Sequence, residues 1–286
     1  MDGGALIELM AREMRLHPGS VGTTIGGVRV ELGQHLLLGD EFLLREPGLA
    51  LLYRKGKGVT VDRAPGADPS EEELYLNGSV YAAVACINGL MPIHASAVVL
   101  NGQVVAFTGP AGAGKSTTVA GLSRLGLPLF CDDTLLIQAG ADRAPLCLPG
   151  HKRMKLWPDS VELTGSDALE EVSPAYAKYY VTPAGGDVAE PLPLGALIFL
   201  ETAATDEPAR IVPISGGEKI ARLDDDHYTR ALFERVARHS RAEHFALNAR
   251  IAARVAMARF IRPLDRENFW ATTRYLAENV SDMVGA

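Results

Sequence analysis

The stretch HASAVVLNGQVVAFTGPAGAGKSTTVAGLSRLGLPLFCDD, residues 94–133, decides the fold. Residues 93–100 and 103–108 are strand-like runs on either side of Asn101-Gly102. Both loop residues tolerate positive φ, and Asn-Gly between two apolar runs predicts a β-hairpin. The second run feeds Gly109-Pro110-Ala111-Gly112-Ala113-Gly114-Lys115-Ser116, which fits GxxxxGK[ST] in full, with Thr117 next. By average composition such a match arises by chance in on the order of one per cent of chains this long. The context also fits: VVAFT precedes the loop, and a helical pattern over residues 115–125 follows, with Gly126 as its C′ residue. Glycines let the loop curl so that successive N–H groups face phosphate oxygens, and the helix N-terminus adds partial positive charge. Residues 109–117 are therefore read as a nucleotide-binding loop, with Lys115 bridging the outer phosphates and the Ser116 hydroxyl ligating Mg²⁺.

The next strand, LPLFC, ends in Asp132-Asp133. In isolation two such carboxylates read as a solvated turn. Following a phosphate loop and its helix, they fall beside the phosphate site. Neighbours on an extended chain point opposite ways, so the two carboxylates should do different jobs. One would sit on Mg²⁺ and the other would take a proton from an acceptor hydroxyl. His94 lies on the strand that leads into the hairpin, and by itself it reads as a structural histidine.

From His94 to Ile137 the spacing of histidine, phosphate loop, helix, glycine turn and aspartate pair resembles the catalytic core of the HPr kinase/phosphorylase family. The resemblance implies an α/β fold with an HPr-kinase-like core, a mixed sheet with helices, and ATP and Mg²⁺ as cofactors. It also implies Asp132 as general base on an accepting serine hydroxyl, Asp133 with Ser116 as metal ligands, and His94 close to the transferred phosphoryl group and Asp132. The signature of Glu, Arg and Gly that those enzymes carry after the aspartate pair has no match, and their N-terminal domain is not recognisable in residues 1–85. A small β domain, a helix ending in GLMPIHASAV, the loop, the acid pair and LWPD (156–159) follow one another here. That order is similar to HPr-kinase-like proteins found beside lasso-peptide genes, some of which phosphorylate the C-terminal serine of a precursor peptide. The resemblance thus implies a serine kinase with a precursor peptide or protein as partner. Its rivals are a kinase of HPr or of a small-molecule alcohol and, in another class, a nucleotide-binding regulator without transfer activity.

Downstream, LPGHKRMKLWPDS (148–160) gathers His151, Lys152, Arg153 and Lys155 around Trp157. A solvated basic turn is the plain reading; in an acidic protein the cluster is also suited to ATP phosphates or an acidic peptide. Lys155, directly before LW, is the first choice for such a contact, and Lys178 in AYAKYYV is a weaker one. ALIFLE (196–201) reads as a short buried strand, with Glu201 a solvent carboxylate at its end. ISGGEK (214–219) resembles an ABC-transporter signature but follows that strand instead of preceding it, so it reads as a glycine-rich turn. Residues 228–260 are Ala- and Arg-rich and predict a helix with Arg230, Arg235, Arg238, Arg241, Arg250, Arg254 and Arg259 on a solvated face. Asp224-Asp225-Asp226 reads as a solvated helix start, and a last helix is expected over about 266–284.

Upstream, residues 5–16 predict a helix, and 26–76 break into short β runs, from VRVEL to LYL, that predict an antiparallel N-terminal sheet. Residues 78–89 read as a buried helix. The expected division is a small β-rich module over 1–85 and a P-loop kinase domain with C-terminal helices over 86–286.

Composition sets the outer bounds. The 286 residues carry 28 Lys+Arg against 35 Asp+Glu, a net charge of −7, and 47% are hydrophobic. Such a chain can bury a core, which excludes disorder as its dominant state. The acidic balance argues against a nucleic-acid partner, which needs a basic face. Cys86, Cys131 and Cys147 form no paired framework and read as reduced thiols. The N-terminus lacks a basic-then-apolar leader, and the longest apolar stretch, 80–93, is interrupted by Asn88, Gly89 and Pro92. A cytoplasmic protein without a membrane partner is expected, and homo-oligomerisation is left open.

Overall fold

The computed structural model describes residues 2–140, 143–173, 176–204, 206–224 and 241–284. Its backbone divides into two compact units, Met1–Pro92 with His227–Ala246, and Ile93–Asp226 with Leu247–Ala286.

The first unit opens on α1 (Gly3–Glu13), whose N-terminus is capped by the Asp2 side chain and whose inner face buries Leu6 and Met10. There follow β1 (Leu16–Pro18), the short pair β2 (Thr24–Ile25) and β3 (Val28–Arg29), and β4 (Gln34–Leu38), β5 (Glu41–Glu46), β6 (Leu49–Arg54) and β7 (Gly58–Arg63). The five-stranded sheet runs β1-β7-β6-β5-β4 and is antiparallel except where β1 lies along β7. Strand β5 buries Phe42, Leu43 and Leu44 in succession instead of alternating, because the sheet is covered on both faces. Leu43 and Leu52 pack with Ile25 and Val30. Helix α1 packs on β7, and α3 (Tyr81–Ile87) packs on β5.

LYL (74–76) departs from the sequence expectation. It belongs to α2 (Pro69–Tyr75) and the π-helical turn Leu76–Val80 that joins α2 to α3. Asp68 accepts from the Ser70 N–H, Pro69 occupies the first turn, and Glu71 and Glu72 follow. These start signals outweigh the β preference of three residues. Strand β8 (Met91–Ile93) follows.

The second unit is mixed α/β. It comprises β9 (Ala95–Leu100), β10 (Gln103–Thr108), α4 (Lys115–Arg124), β11 (Leu129–Cys131), β12 (Leu135–Gln138), β13 (Leu146–Leu148), β14 (Met154–Leu156), α5 (Pro158–Thr164), β15 (Ala168–Ser173), β16 (Tyr176–Val181) and β17 (Leu192–Thr202). Then come β18 (Arg210–Pro213), α6 (Gly217–Asp224), α7 (Arg241–Arg254), which belongs to this unit from Leu247 onward, β19 (Ala256–Arg262) and α8 (Phe269–Val284). The main sheet runs β11-β9-β10-β17-β13-β12, with β19 also on β17 and β18 on β19. Strands β10, β17 and β19 are parallel, so their carboxyl ends share one edge, and β9 runs antiparallel to β10. Strand β11 is antiparallel to β9 and so runs in the direction of β10, which brings its carboxyl end to the same edge. A smaller sheet, β14-β16-β15, carries the LW segment. Asn101 and Gly102 take φ +50° and +72°, as the predicted hairpin requires, and Gly126 ends α4 at φ +95°. The core joins Phe107 of β10, Val119 and Leu122 of α4, Ile198 of β17, Phe260 of β19 and Leu276 of α8.

Residues 256–262 are the second departure, a strand where a helix was expected. Paired to β17 on one side and β18 on the other, AMARFIR buries residues on both faces, and this pairing overrides the helical composition. Arg259 is therefore a strand residue facing Glu201 at 3.9 Å, and Glu201 also pairs with Arg222 at 2.8 Å. Asp225, Asp226, Arg230, Arg235, Arg238 and the Arg241 side chain lie outside the described residues. The three cysteines are free and buried. Among the described residues no helix is long and apolar enough to cross a membrane.

Candidate active site

The site lies where β10 ends and α4 begins. The loop between them needs glycine at two points. Gly109 has φ +148°, and a Cβ there would stand 2.9 Å from the Leu200 carbonyl oxygen. Gly114, at φ +82°, starts α4, and a Cβ there would stand 3.1 Å from Arg262 Nη2. Pro110, Ala111 and Gly112 are exposed at the loop tip, and Ala113 is tucked in, its N–H donating to the Pro110 carbonyl at 3.1 Å. Lys115 is buried, and its Nζ donates to the carbonyls of Gly109 (2.9 Å) and Pro110 (3.2 Å), so the ammonium sits against the loop's own backbone.

Both aspartates meet this loop, in different ways. Asp132 is 4% exposed, and three donors satisfy its carboxylate. Ser116 Oγ and Ser96 Oγ donate to Oδ1 at 2.8 and 2.6 Å, and the Lys155 N–H donates to Oδ2 at 3.0 Å. Asp133 has φ +75°, a left-handed conformation that Asp accepts better than most residues, and its side chain is 40% exposed. His94 Nδ1 lies 3.3 Å from its Oδ1 and 2.9 Å from its main-chain oxygen, and Lys155 Nζ lies 3.4 Å from Oδ2. Burial raises the affinity of the Asp133 carboxyl for a proton. The charges of Lys155, His94 and Lys178 outweigh that effect and hold it below the usual carboxylate range.

His94, Lys115, Ser116, Asp132, Asp133 and Lys155 are thus brought together, and Lys178, seated 5.2 Å over the Trp157 ring, adds its charge. Three other sequence candidates are committed elsewhere. Lys152 donates to the carbonyls of Phe130 and Val188, and burial pushes its amine down. Arg153 pairs with Glu170 and stacks 3.8 Å from the Tyr180 ring centroid. Thr117 shares a hydrogen bond with Ser160 of α5 at 2.8 Å.

Two site residues were not anticipated. Ser96 stands two residues beyond His94, and the period-2 alternation of a strand would have placed both on one face. Arg262 is 6% exposed, and its Nη2 donates to the Ala113 carbonyl (2.8 Å) and Thr118 Oγ1 (3.2 Å) beneath the loop. Burial holds its pKa down to about 10. Nothing in the sequence separates it from the surface arginines nearby. Among the described residues no three His, Cys, Asp or Glu side chains gather as a metal cage. The Ser116 hydroxyl and Asp132 carboxylate are hard oxygen donors of the kind that hold Mg²⁺ together with phosphate oxygens and water.

No family model matches the chain, and no curated protein matches it. Among solved structures it is similar to the HPr(Ser) kinase/phosphatase from Coxiella burnetii at 13% identity, covering 68% of this chain and 93% of that one with a TM-score of 0.36. At that TM-score the likeness assigns neither activity nor substrate to this chain.

Proposed function

We propose that this protein is an ATP-dependent kinase that transfers the γ-phosphate to a serine hydroxyl of a peptide or protein. The observation that carries the reading is the hydrogen bond from the phosphate-loop hydroxyl, Ser116, to the buried Asp132, with the half-buried Asp133 held beside it by His94 and Lys155. Loop amides and Lys115 bind the triphosphate. Ser116 and Asp132 fit Mg²⁺, which would neutralise charge on the β- and γ-phosphate oxygens.

This geometry favours exchanging the two aspartate roles implied by the family resemblance. Asp132 is buried and accepts from the Ser116 hydroxyl, which suits a metal-side carboxylate. Asp133 is the one open to solvent, which suits a base. In the transfer step the acceptor oxygen forms a bond to the γ-phosphorus, the bond to the β–γ bridging oxygen breaks, ADP leaves, and Asp133 takes the hydroxyl proton. Lys155 and His94 orient Asp133 and stand ready to offset charge on the transferred group. The C-terminal serine of a lasso-peptide precursor is the acceptor in this reading, and residues 1–85 form a module distinct from the kinase domain.

Asp133→Asn is expected to lower phosphate transfer by roughly 10²–10⁴-fold while ATP affinity stays within a few-fold. Asp132→Asn should instead weaken Mg²⁺-dependent ATP binding. Transfer is read by mass spectrometry of a precursor peptide ending in serine, with HPr and a free alcohol as competing acceptors. Wild-type transfer by the Asp133 variant would remove the base assignment. Tight ATP binding without any phosphorylated product would favour a regulator instead.

A further inference from the structure

The phosphate loop sits in the middle of the main sheet, and the two sides of β10 differ. On one side β9 and β11 bring Ser96 and the aspartate pair to Ser116. On the other side lie the carboxyl ends of β17 and β19, parallel to β10. In open α/β sheets, ligands bind in the crevice outside the carboxyl ends of parallel strands. A cavity of about 430 Å³ lies there, formed by residues 206–209 after β17, Pro263 directly after β19, and the first turns of α8. That volume is within the range of small-molecule sites.

The cavity is tied to the phosphate loop through backbone and side chain. The Ala203 N–H donates to the Arg262 carbonyl at 2.9 Å, joining the two strand ends. The Arg262 guanidinium in turn holds the Ala113 carbonyl of the loop at 2.8 Å. Pro263, the next residue, is a cavity wall. Pro208, Pro263 and Tyr275 offer flat apolar surface, and Ala271 leaves room between them. Of the polar lining residues, Glu207 is paired with Arg210 at 2.6 Å and Asn268 donates to Asp265 at 2.5 Å. Asp206 and Thr272 are the polar lining residues best suited to a ligand.

We infer that this cavity is the nucleoside subsite of the kinase, taking the base and ribose of the triphosphate whose phosphates lie on loop 109–116. The inference rests on the function proposed above. A triphosphate on the loop presents its transferable end to the aspartate pair on the β9–β11 side. Its nucleoside end then lies towards β17 and β19. The apolar walls suit the faces of a base, and the Asp206 carboxylate suits the ribose hydroxyls, the role an acidic residue plays in dinucleotide sites.

The experiment compares binding of ATP and of inorganic tripolyphosphate, each with Mg²⁺, by calorimetry on the full chain. Only ATP has a nucleoside to lose. Ala271→Trp, which fills the cavity from an exposed position, should weaken ATP by about tenfold or more and leave tripolyphosphate unchanged. Asp206→Asn should weaken ATP by a few-fold with the same selectivity. Tripolyphosphate binding also reports that each variant is folded at the loop. Unchanged ATP affinity in both variants, or equal loss of both ligands, would overturn the subsite. Failure of wild-type protein to bind either ligand would overturn the kinase reading itself, and the subsite with it.

Discussion

Among the described residues, each unit contains one carboxylate that is buried and held by hydrogen bonds. In the first unit Glu13 is 1% exposed; its Oε2 accepts from the Tyr53 hydroxyl and the Gly56 N–H, both at 2.7 Å, and its Oε1 pairs with Arg12 at 2.9 Å. Tyr53 is in turn held by Asn88 at 2.8 Å. In the second unit Asp132 is likewise buried and has as many donors, but one donor is the Ser116 hydroxyl at the end of the glycine-rich loop. Burial alone therefore does not mark a functional acid. The partners differ: a tyrosine, a turn amide and a surface arginine tie chain segments together around Glu13, whereas in the proposed reading Ser116 ties Asp132 to a bound nucleotide.

That contrast can be broken by substitution. The largest effect is expected from Lys115→Ala, which removes a charge-assisted contact to phosphate. ATP affinity measured by calorimetry should fall by roughly 10–100-fold with the melting temperature little changed. Unchanged affinity would overturn the phosphate-loop reading and leave Asp132 as structural as Glu13. Glu13→Gln should do the opposite, lowering stability by about 1–3 kcal/mol in urea unfolding with ATP affinity intact. A loss of ATP binding there would erase the distinction.

The same variant carries a pH signature. Burial raises the Glu13 carboxyl, but the Gly56 amide, Tyr53 and Arg12 outweigh it, so its folded pKa lies below the unfolded one. Its stabilisation is present above the unfolded value, about 4.3, and is lost as pH falls through the folded value. Glu13→Gln should flatten that acid limb of the stability profile. The smallest effect is expected from Tyr53→Phe, which removes one donor and costs about 1 kcal/mol. Burial and the neighbouring Glu13 carboxylate both raise the Tyr53 phenol, so the wild-type bond persists well into alkaline pH.

The regions read correctly from sequence share a physical property. The hairpin at Asn101-Gly102, the loop, α4 and its Gly126 end are each specified by neighbours a few residues apart, through φ preferences and helix end signals. The misread regions are those where a short local preference met a stronger constraint. LYL was overruled by the helix start at Asp68, and residues 256–262 by pairing with two strands distant in the chain. Lys152 and Arg153 read by charge as a solvated basic turn or as contacts for ATP phosphates or an acidic peptide, and charge alone does not show what they pair with. Their partners, Phe130, Val188 and Glu170, are brought near only by folding.

The sequence by itself determined that a glycine-rich loop opens a helix, that two acids end the next strand, and that a histidine precedes both. Covalent spacing and local conformational preference suffice for that. Only the tertiary structure decided which aspartate meets Ser116. The register of β11 against β9 sets Asp132 between Ser96 and Ser116, and the left-handed turn at Asp133 carries its carboxylate to His94 and Lys155. Alternation along the strand shows that the two acids differ. It does not say which face the phosphate loop occupies, because that depends on strands paired from elsewhere in the chain.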